Sequence, residues 1–190
     1  MKTKIVAATT NAHKLEEIRT ILSDFEIVST ADVGFHDDVE ETGETFMENA
    51  LLKARAVCRA TGLPALGDDS GLCVDALNGA PGIYSARYSG QGMSANRQLL
   101  LKNLQGQTNR AAHFNCAVAL VFPDGREYTA EGQTYGVITT EPQGENGFGY
   151  DCLFYSSELE KTFALATPAE KNAVSHRGRA LQNLLTVMKN

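Results

Sequence analysis

The stretch KIVAATTNAHKLEEIRTIL, residues 4–22, decides how the chain begins to fold. A short apolar run is followed by small hydrogen-bonding residues, and then Leu15, Ile18, Leu22 and Phe25 recur at helical spacing. Asn11 is suited to cap that helix, because its side-chain oxygen can accept hydrogen bonds from the first free N–H groups. The reading is strand, tight turn, helix.

Working outward, EIVST predicts a second strand, and an acidic segment, HDDVEETGE, leads into a second helix. Thr45 and Glu48 form a capping box for that helix, Phe46, Ala50, Ala54, Val57 and Cys58 line its apolar face, and Gly62 and Pro64 end it. The segment PALGDDSGLCVDALNGAPGIYSARYSGQG, rich in Gly, Pro, Asp and Ser, predicts two brief strands inside a long loop system, followed by a helix around SANRQLLLKNLQ. From Phe114 onward the pattern turns strand-like: FNCAVALVF and REYTAEGQTYGVI are joined by Pro123, Asp124 and Gly125 into a hairpin. The end is helical, entered through Thr167, Pro168 and Glu170; Gly178 suggests a division into two helices, the second capped by Ser175. The fold class is mixed α/β with a partly antiparallel central sheet, in one domain spanning residues 1–190.

Composition narrows the function. With 190 residues, the chain is slightly longer than one domain of ~150 residues. Seventeen basic against 23 acidic groups give a net charge of −6, which offers no general attraction to nucleic acid or an anionic membrane. There is no apolar run of membrane-spanning length and no secretory leader pattern at the start, so a cytoplasmic protein is expected. The four cysteines, Cys58, Cys73, Cys116 and Cys152, show no zinc spacing and read as free, mostly buried thiols.

Four segments carry chemistry. In TTNAHK, Thr9, Thr10, Asn11, Ala12, His13 and Lys14 place free helix N–H groups, short polar side chains and a cation where an anion can sit, although an ordinary capped helix looks the same. Glu40, Glu41, Asp68 and Asp69 are candidate oxygen ligands for Mg²⁺, with Ser70 beside them; caps and solvated carboxylates are the alternative. NGFGYD offers close backbone approach at its glycines and flat faces at Phe148 and Tyr150, or simply a tight turn with core aromatics. Lys171, His176 and Arg177 are natural phosphate or carbonyl partners near helix starts, where a histidine can equally be structural. Together they suggest chemistry on a small phosphorylated metabolite such as a nucleotide.

Taken in order, TTNAHK, EETGETFMENALLKAR, ALGDDSGLCVDALNGAPGIYSARYSG, NGFGYD and SHRGRAL resemble the inosine triphosphate pyrophosphatase family, from about Lys4 to the last helix. The resemblance implies an elongated mixed sheet flanked by helices, two lobes with an active-site cleft between them, a homodimer and a requirement for Mg²⁺. It implies hydrolysis of ITP, dITP and XTP to the monophosphate and pyrophosphate. Carried over by motif, Thr9 to Lys14 would hold the phosphates, Asp69 would be the base and a metal-site carboxylate, and Ser70 would contact substrate. Glu40 or Glu41 would help hold the metal, with Asp68 a further candidate, while Phe148, Gly149, Tyr150, Asp151, Lys171, His176 and Arg177 would complete the nucleotide pocket. The His176–Arg177 segment would supply the donor to the 6-oxo group.

Two positions depart from the common family pattern: Cys152 stands where proline is usual, and Gly67 where alanine is common. Two other readings remain at this level. One is a related pyrophosphatase for modified pyrimidine triphosphates, and the other a non-catalytic nucleotide sensor.

Overall fold

The computed structural model describes residues 2–189. Seven strands form one mixed sheet: β1 (Lys4–Ala7), β2 (Glu26–Ser29), β3 (Ala65–Val74), β4 (Ala111–Val121), β5 (Glu127–Ile138), β6 (Phe154–Ser156) and β7 (Lys161–Thr162), in the order β2-β1-β3-β4-β5-β6-β7. The helices are α1 (Ala12–Ile21), α2 (Phe46–Thr61), α3 (Met93–Asn103), α4 (Pro168–Val174) and α5 (His176–Lys189). The described residues form two compact units, 2–69, 116–132 and 177–189 in the first and 70–115 and 133–176 in the second. The chain passes from one to the other inside β3, β4 and β5 and again between His176 and Arg177, where the last helix begins.

The first unit is an α/β sandwich. β1 pairs in parallel with β2, Ile5 opposite Ile27, and with β3, Ala7 opposite Leu66. Strand residues alternate between faces, so Ile5, Ala7, Leu66, Val118 and Leu120 pack with Ile18 of α1 and Leu181 and Leu184 of α5. Val6, Ala65, Ala117 and Ala119 pack with Ala50, Ala54 and Val57 of α2. Each fully buried Ile or Leu here contributes about 1.5–3 kcal/mol. Asn11 caps α1 as its sequence predicts, its Oδ1 accepting from His13 N at 3.0 Å and Lys14 N at 3.3 Å.

The second unit has its own core, in which Leu72, Phe114, Tyr150, Leu153, Phe154 and Phe163 pack with Leu100 and Leu104 at α3. The rings of Phe114 and Phe154 lie 4.7 Å apart and those of Phe154 and Phe163 5.0 Å apart. β6 pairs antiparallel with β5 and with β7. Thr167 and Glu170 form the reciprocal capping box of α4, and an extended Ser175 separates α4 from α5.

Three local expectations change. Residues 65–74 form one ten-residue strand in place of two brief ones. Its carboxylates are paired inside the fold, so polar residues that read as turn-formers occupy a buried strand. Thr45 caps α2 by accepting from Glu48 N at 3.1 Å, but the Glu48 carboxylate turns to Glu44 N, at 2.7 Å, and leaves the box half made. Helix α1 ends before Phe25, Leu22 N closing on the Ile18 carbonyl at 2.9 Å. No helix among the described residues is long and apolar enough to cross a membrane.

Candidate active site

Asp68 and Asp69 stand where β3 crosses the floor of the first unit, and both are buried. Adjacent strand residues point to opposite faces, which gives the two carboxylates different partners. Asp68 Oδ2 accepts from Arg177 Nε at 3.2 Å and Nη2 at 3.1 Å, and Lys14 Nζ lies 3.2 Å away. Arg177 also donates from Nη1 to Glu17 of α1. Burial pushes the Asp68 carboxyl upward in pKa, but Lys14, Arg177 and Lys53 outweigh it and hold the group well below the usual carboxylate range. Arg177, in turn, is raised above its ordinary value despite burial, chiefly by Asp68.

Asp69 faces α2. Asn49, fully buried there, donates from Nδ2 to Asp69 Oδ2 at 3.1 Å and accepts from Gly43 N at 2.8 Å. One turn on, Lys53 Nζ reaches Glu41 Oε1 at 2.5 Å and lies 4.0 Å from Asp69 Oδ1. The Asp69 carboxyl is pushed up to about 6, first by burial and further by Glu41, with Lys53 and Asn49 opposing. It is therefore ionised near neutral pH yet retains appreciable affinity for a proton.

The geometry tests the oxygen-ligand set. Among the described residues no three His, Cys, Asp or Glu side chains form a ready-made metal cage. Glu41 and Asp69 do share one cation, the Lys53 ammonium, and one oxygen of Asp68, Oδ1, is buried without a hydrogen-bond partner. Glu41 and Asp69, two carboxylates facing a position already suited to positive charge, fit Mg²⁺, which takes one or two protein carboxylates and completes its shell with water and phosphate oxygens. Glu40 is exposed at the edge of this set.

In TTNAHK, Thr9 Oγ1 accepts from Asn11 N at 3.1 Å, and the Asn11 side chain takes the N–H groups of residues 13 and 14. Several of the donors expected for phosphate thus close the turn on itself, while Thr10, Asn11, Ala12 and His13 remain exposed. Lys14 is directed at Asp68.

The second unit holds the remaining predicted residues. Asp151 Oδ2 accepts from Lys171 Nζ at 2.7 Å and from Phe148 N at 3.0 Å, and the Lys171 ammonium lies 4.6 Å from the centre of the Phe148 ring. Gly147 has φ +72°, and a Cβ there would come within 2.2 Å of Asp151 Oδ2, so only glycine leaves room for this carboxylate. Phe148 is half-exposed and offers a flat face. Tyr150 is placed differently: its ring is in the core and its hydroxyl donates to the Ser85 carbonyl at 2.7 Å. His176 is buried and stacks on Phe114 with centroids 4.6 Å apart. Ser70 is half-buried on β3. Cys152 packs at the rim of this core, its carbonyl accepting from Gln143 N at 2.8 Å.

Sequence reasoning passed over Lys53, Asn49 and Glu17. Asn49 and Lys53 were visible at a four-residue spacing on α2, which puts them on one face, but a polar pair on an otherwise alanine-lined face reads as surface until the partner strand is known.

The Ham1 family model matches residues 5–187. The dITP/XTP pyrophosphatase of Haemophilus influenzae is 53% identical over 192 residues, covering 97% of this chain and 98% of the relative. That of Streptomyces avermitilis is 49% identical over 195 residues, covering 98% of each. The structure of a HAM1 protein from Coxiella burnetii superposes with a TM-score of 0.88 at 43% identity, covering 98% of each chain. The resemblance carried by the ordered motifs is borne out: this chain belongs to the Ham1 family.

Proposed function

We propose that the protein hydrolyses non-standard purine nucleoside triphosphates, dITP, ITP and XTP, to the nucleoside monophosphate and pyrophosphate, with Mg²⁺ as cofactor. The observation that carries this reading is the Glu41–Lys53–Asp69 cluster: a buried carboxylate poised near pH 6 beside a lysine and a second carboxylate. Membership of a family whose named relatives are dITP/XTP pyrophosphatases supports the substrate class.

The roles follow from charge. Asp69 takes the proton of the attacking water, because its raised pKa makes it a better base than an exposed carboxylate while leaving it ionised above about 6. Asn49 fixes the orientation of that carboxylate. Lys53 and Lys14 face the negative charge that develops on the leaving pyrophosphate. Glu41 and Asp69 would hold Mg²⁺, with Asp68 Oδ1 a further candidate oxygen, and the ion's chemistry is to neutralise phosphate oxygens and orient them. Lys14 is kept in place by Asp68, itself anchored by Arg177 and Glu17.

At the base end, Phe148 supplies a stacking face and Asp151 with Lys171 a fixed polar edge. A donor placed against a 6-oxo group meets the adenine 6-amino group donor to donor, which leaves buried groups unpaired and rejects ATP. The His176–Arg177 segment is assigned that donor; Arg177 is anchored on Asp68 and Glu17, and His176 is held by its stack on Phe114. A homodimer is assigned from the family resemblance; sedimentation at the 20.5 kDa monomer mass would contradict it.

The test is release of pyrophosphate and monophosphate from ITP, XTP, GTP and ATP, with Mg²⁺ and with EDTA. The reading requires metal-dependent pyrophosphate release from ITP and XTP with ATP and GTP slow. Orthophosphate as product, or preference for a modified pyrimidine triphosphate, would overturn it.

A further inference from the structure

The loop of residues 146–151 carries the aromatic face and the carboxylate assigned above to the purine, and it is held from outside by residues with no role so far. Two points of the loop are pinned by side chains. Phe148 N is held by Asp151, and Tyr150 is held through its hydroxyl on the Ser85 carbonyl. Gly149 lies between these pins with φ +64°, a conformation that glycine enters and leaves at little cost, so this link in the loop is not held by any side chain of its own. Arg97 of α3 closes that link, donating from Nη1 to the Gly149 carbonyl at 3.0 Å. The neighbouring residue, Asn96, is fully buried and donates to the carbonyls of Ser85, at 3.3 Å, and Ala86, at 3.0 Å. One helix turn therefore grips both the loop and the point on which Tyr150 rests. The Ser85 hydroxyl also accepts from Leu72 N at 2.8 Å, which ties the same point to the strand that follows Ser70.

We infer that Arg97 is a positioning residue for purine selectivity: by holding the Gly149 carbonyl it fixes the Phe148 ring and the Asp151 carboxylate in register for the base. The inference rests on the purine triphosphate reading of the site. Arg97 acts through Gly149, so its loss weakens and blurs base binding and leaves the first-unit carboxylates and their chemistry unchanged.

The test uses the full chain with Arg97→Met, which keeps the apolar stem, and Arg97→Lys, which restores a donor. Two readouts are taken: amide hydrogen exchange at residues 147–151 without ligand, and steady-state kinetics with ITP and ATP. Arg97→Met is expected to exchange faster in the loop, to raise KM for ITP about five-fold with kcat within about two-fold, and to lower the ITP-over-ATP preference. Arg97→Lys recovers part of each change. Unaltered exchange and KM in a folded variant, with the wild type active, overturns the inference alone. A loss of kcat with KM intact also overturns it, since Arg97 would then serve the chemical step. A wild type that releases no pyrophosphate from any purine triphosphate overturns the functional reading and the selectivity role together.

Discussion

Gly67 and Ala50 meet so closely that a Cβ on Gly67 would lie 2.1 Å from the Ala50 carbonyl oxygen. α2 is seated on β3 at this point, and the same helix carries Asn49 and Lys53 to Asp69. Gly67→Ala, the residue common in the family pattern, is expected to push the helix outward. Overpacking of this kind costs roughly 1–3 kcal/mol, or about 2–10 °C in Tm. Turnover should fall more than substrate affinity, because Asn49 and Lys53 move with the helix. Calorimetry and kcat/KM against kcat check both parts; an unchanged Tm would show that the helix yields without strain.

Asp69→Asn separates chemistry from stability. Removing the proposed base is expected to lower turnover by about 10²–10⁴-fold. The Asp69 pKa of about 6 lies above its unfolded value near 3.8, so the folded state prefers the protonated form. Its stabilising contribution is complete below about pH 4 and is lost as pH rises through 6. An uncharged Asn escapes that loss, and the variant should be more stable than the wild type at pH 8 by roughly 1–3 kcal/mol, with the gain vanishing near pH 4. Denaturant titrations at the two pH values measure the difference.

Lys53 opposes the burial that raises Asp69. In Lys53→Met the Asp69 pKa should therefore move higher still, because burial and Glu41 then act with less opposition. Carbon-13 NMR titration of the Asp69 carboxyl in metal-free protein reads this directly. A downward shift would show that Lys53 is not the dominant counter-charge.

Asp68 has the opposite sign. Its pKa is depressed by Lys14, Arg177 and Lys53, so its contribution is present above the unfolded value near 3.8 and is lost as pH falls through its folded value. Asp68→Asn leaves the half-buried Lys14 and the buried Arg177 without their shared anion. Breaking such a pair costs about 3–5 kcal/mol, here reduced by Glu17, which still holds Arg177. The variant should lose most Tm at pH 7 and progressively less as pH falls below 3.8, so the loss at pH 2 is smaller than at pH 7. Melting curves at both pH values check the pattern.

Much of this architecture was legible in the sequence because its signals are local. The Asn11 cap, the Thr167–Glu170 box, the Gly62 stop and the hairpin at Pro123–Gly125 each depend on neighbours within a few residues. The site residues were legible as motifs, but their partners were not. Asp68 meets Arg177 across 109 positions of chain, and no spacing rule connects them. Strand β3 misled for a related reason: DDSG reads as a turn unless the cations that neutralise it are known to be waiting. Tyr150 was read as a ring for the base, yet its hydroxyl is bound to Ser85, 65 residues away.

In the proposed reaction, water activated by Asp69 attacks the α-phosphorus of a non-standard purine triphosphate. The most direct test is turnover of dITP in ¹⁸O-labelled water with Mg²⁺, followed by mass spectrometry of both products. Attack at the α-phosphorus puts the label in the deoxyinosine monophosphate and none in the pyrophosphate. Label in pyrophosphate, or in released orthophosphate, would contradict it by moving the attack to another phosphorus.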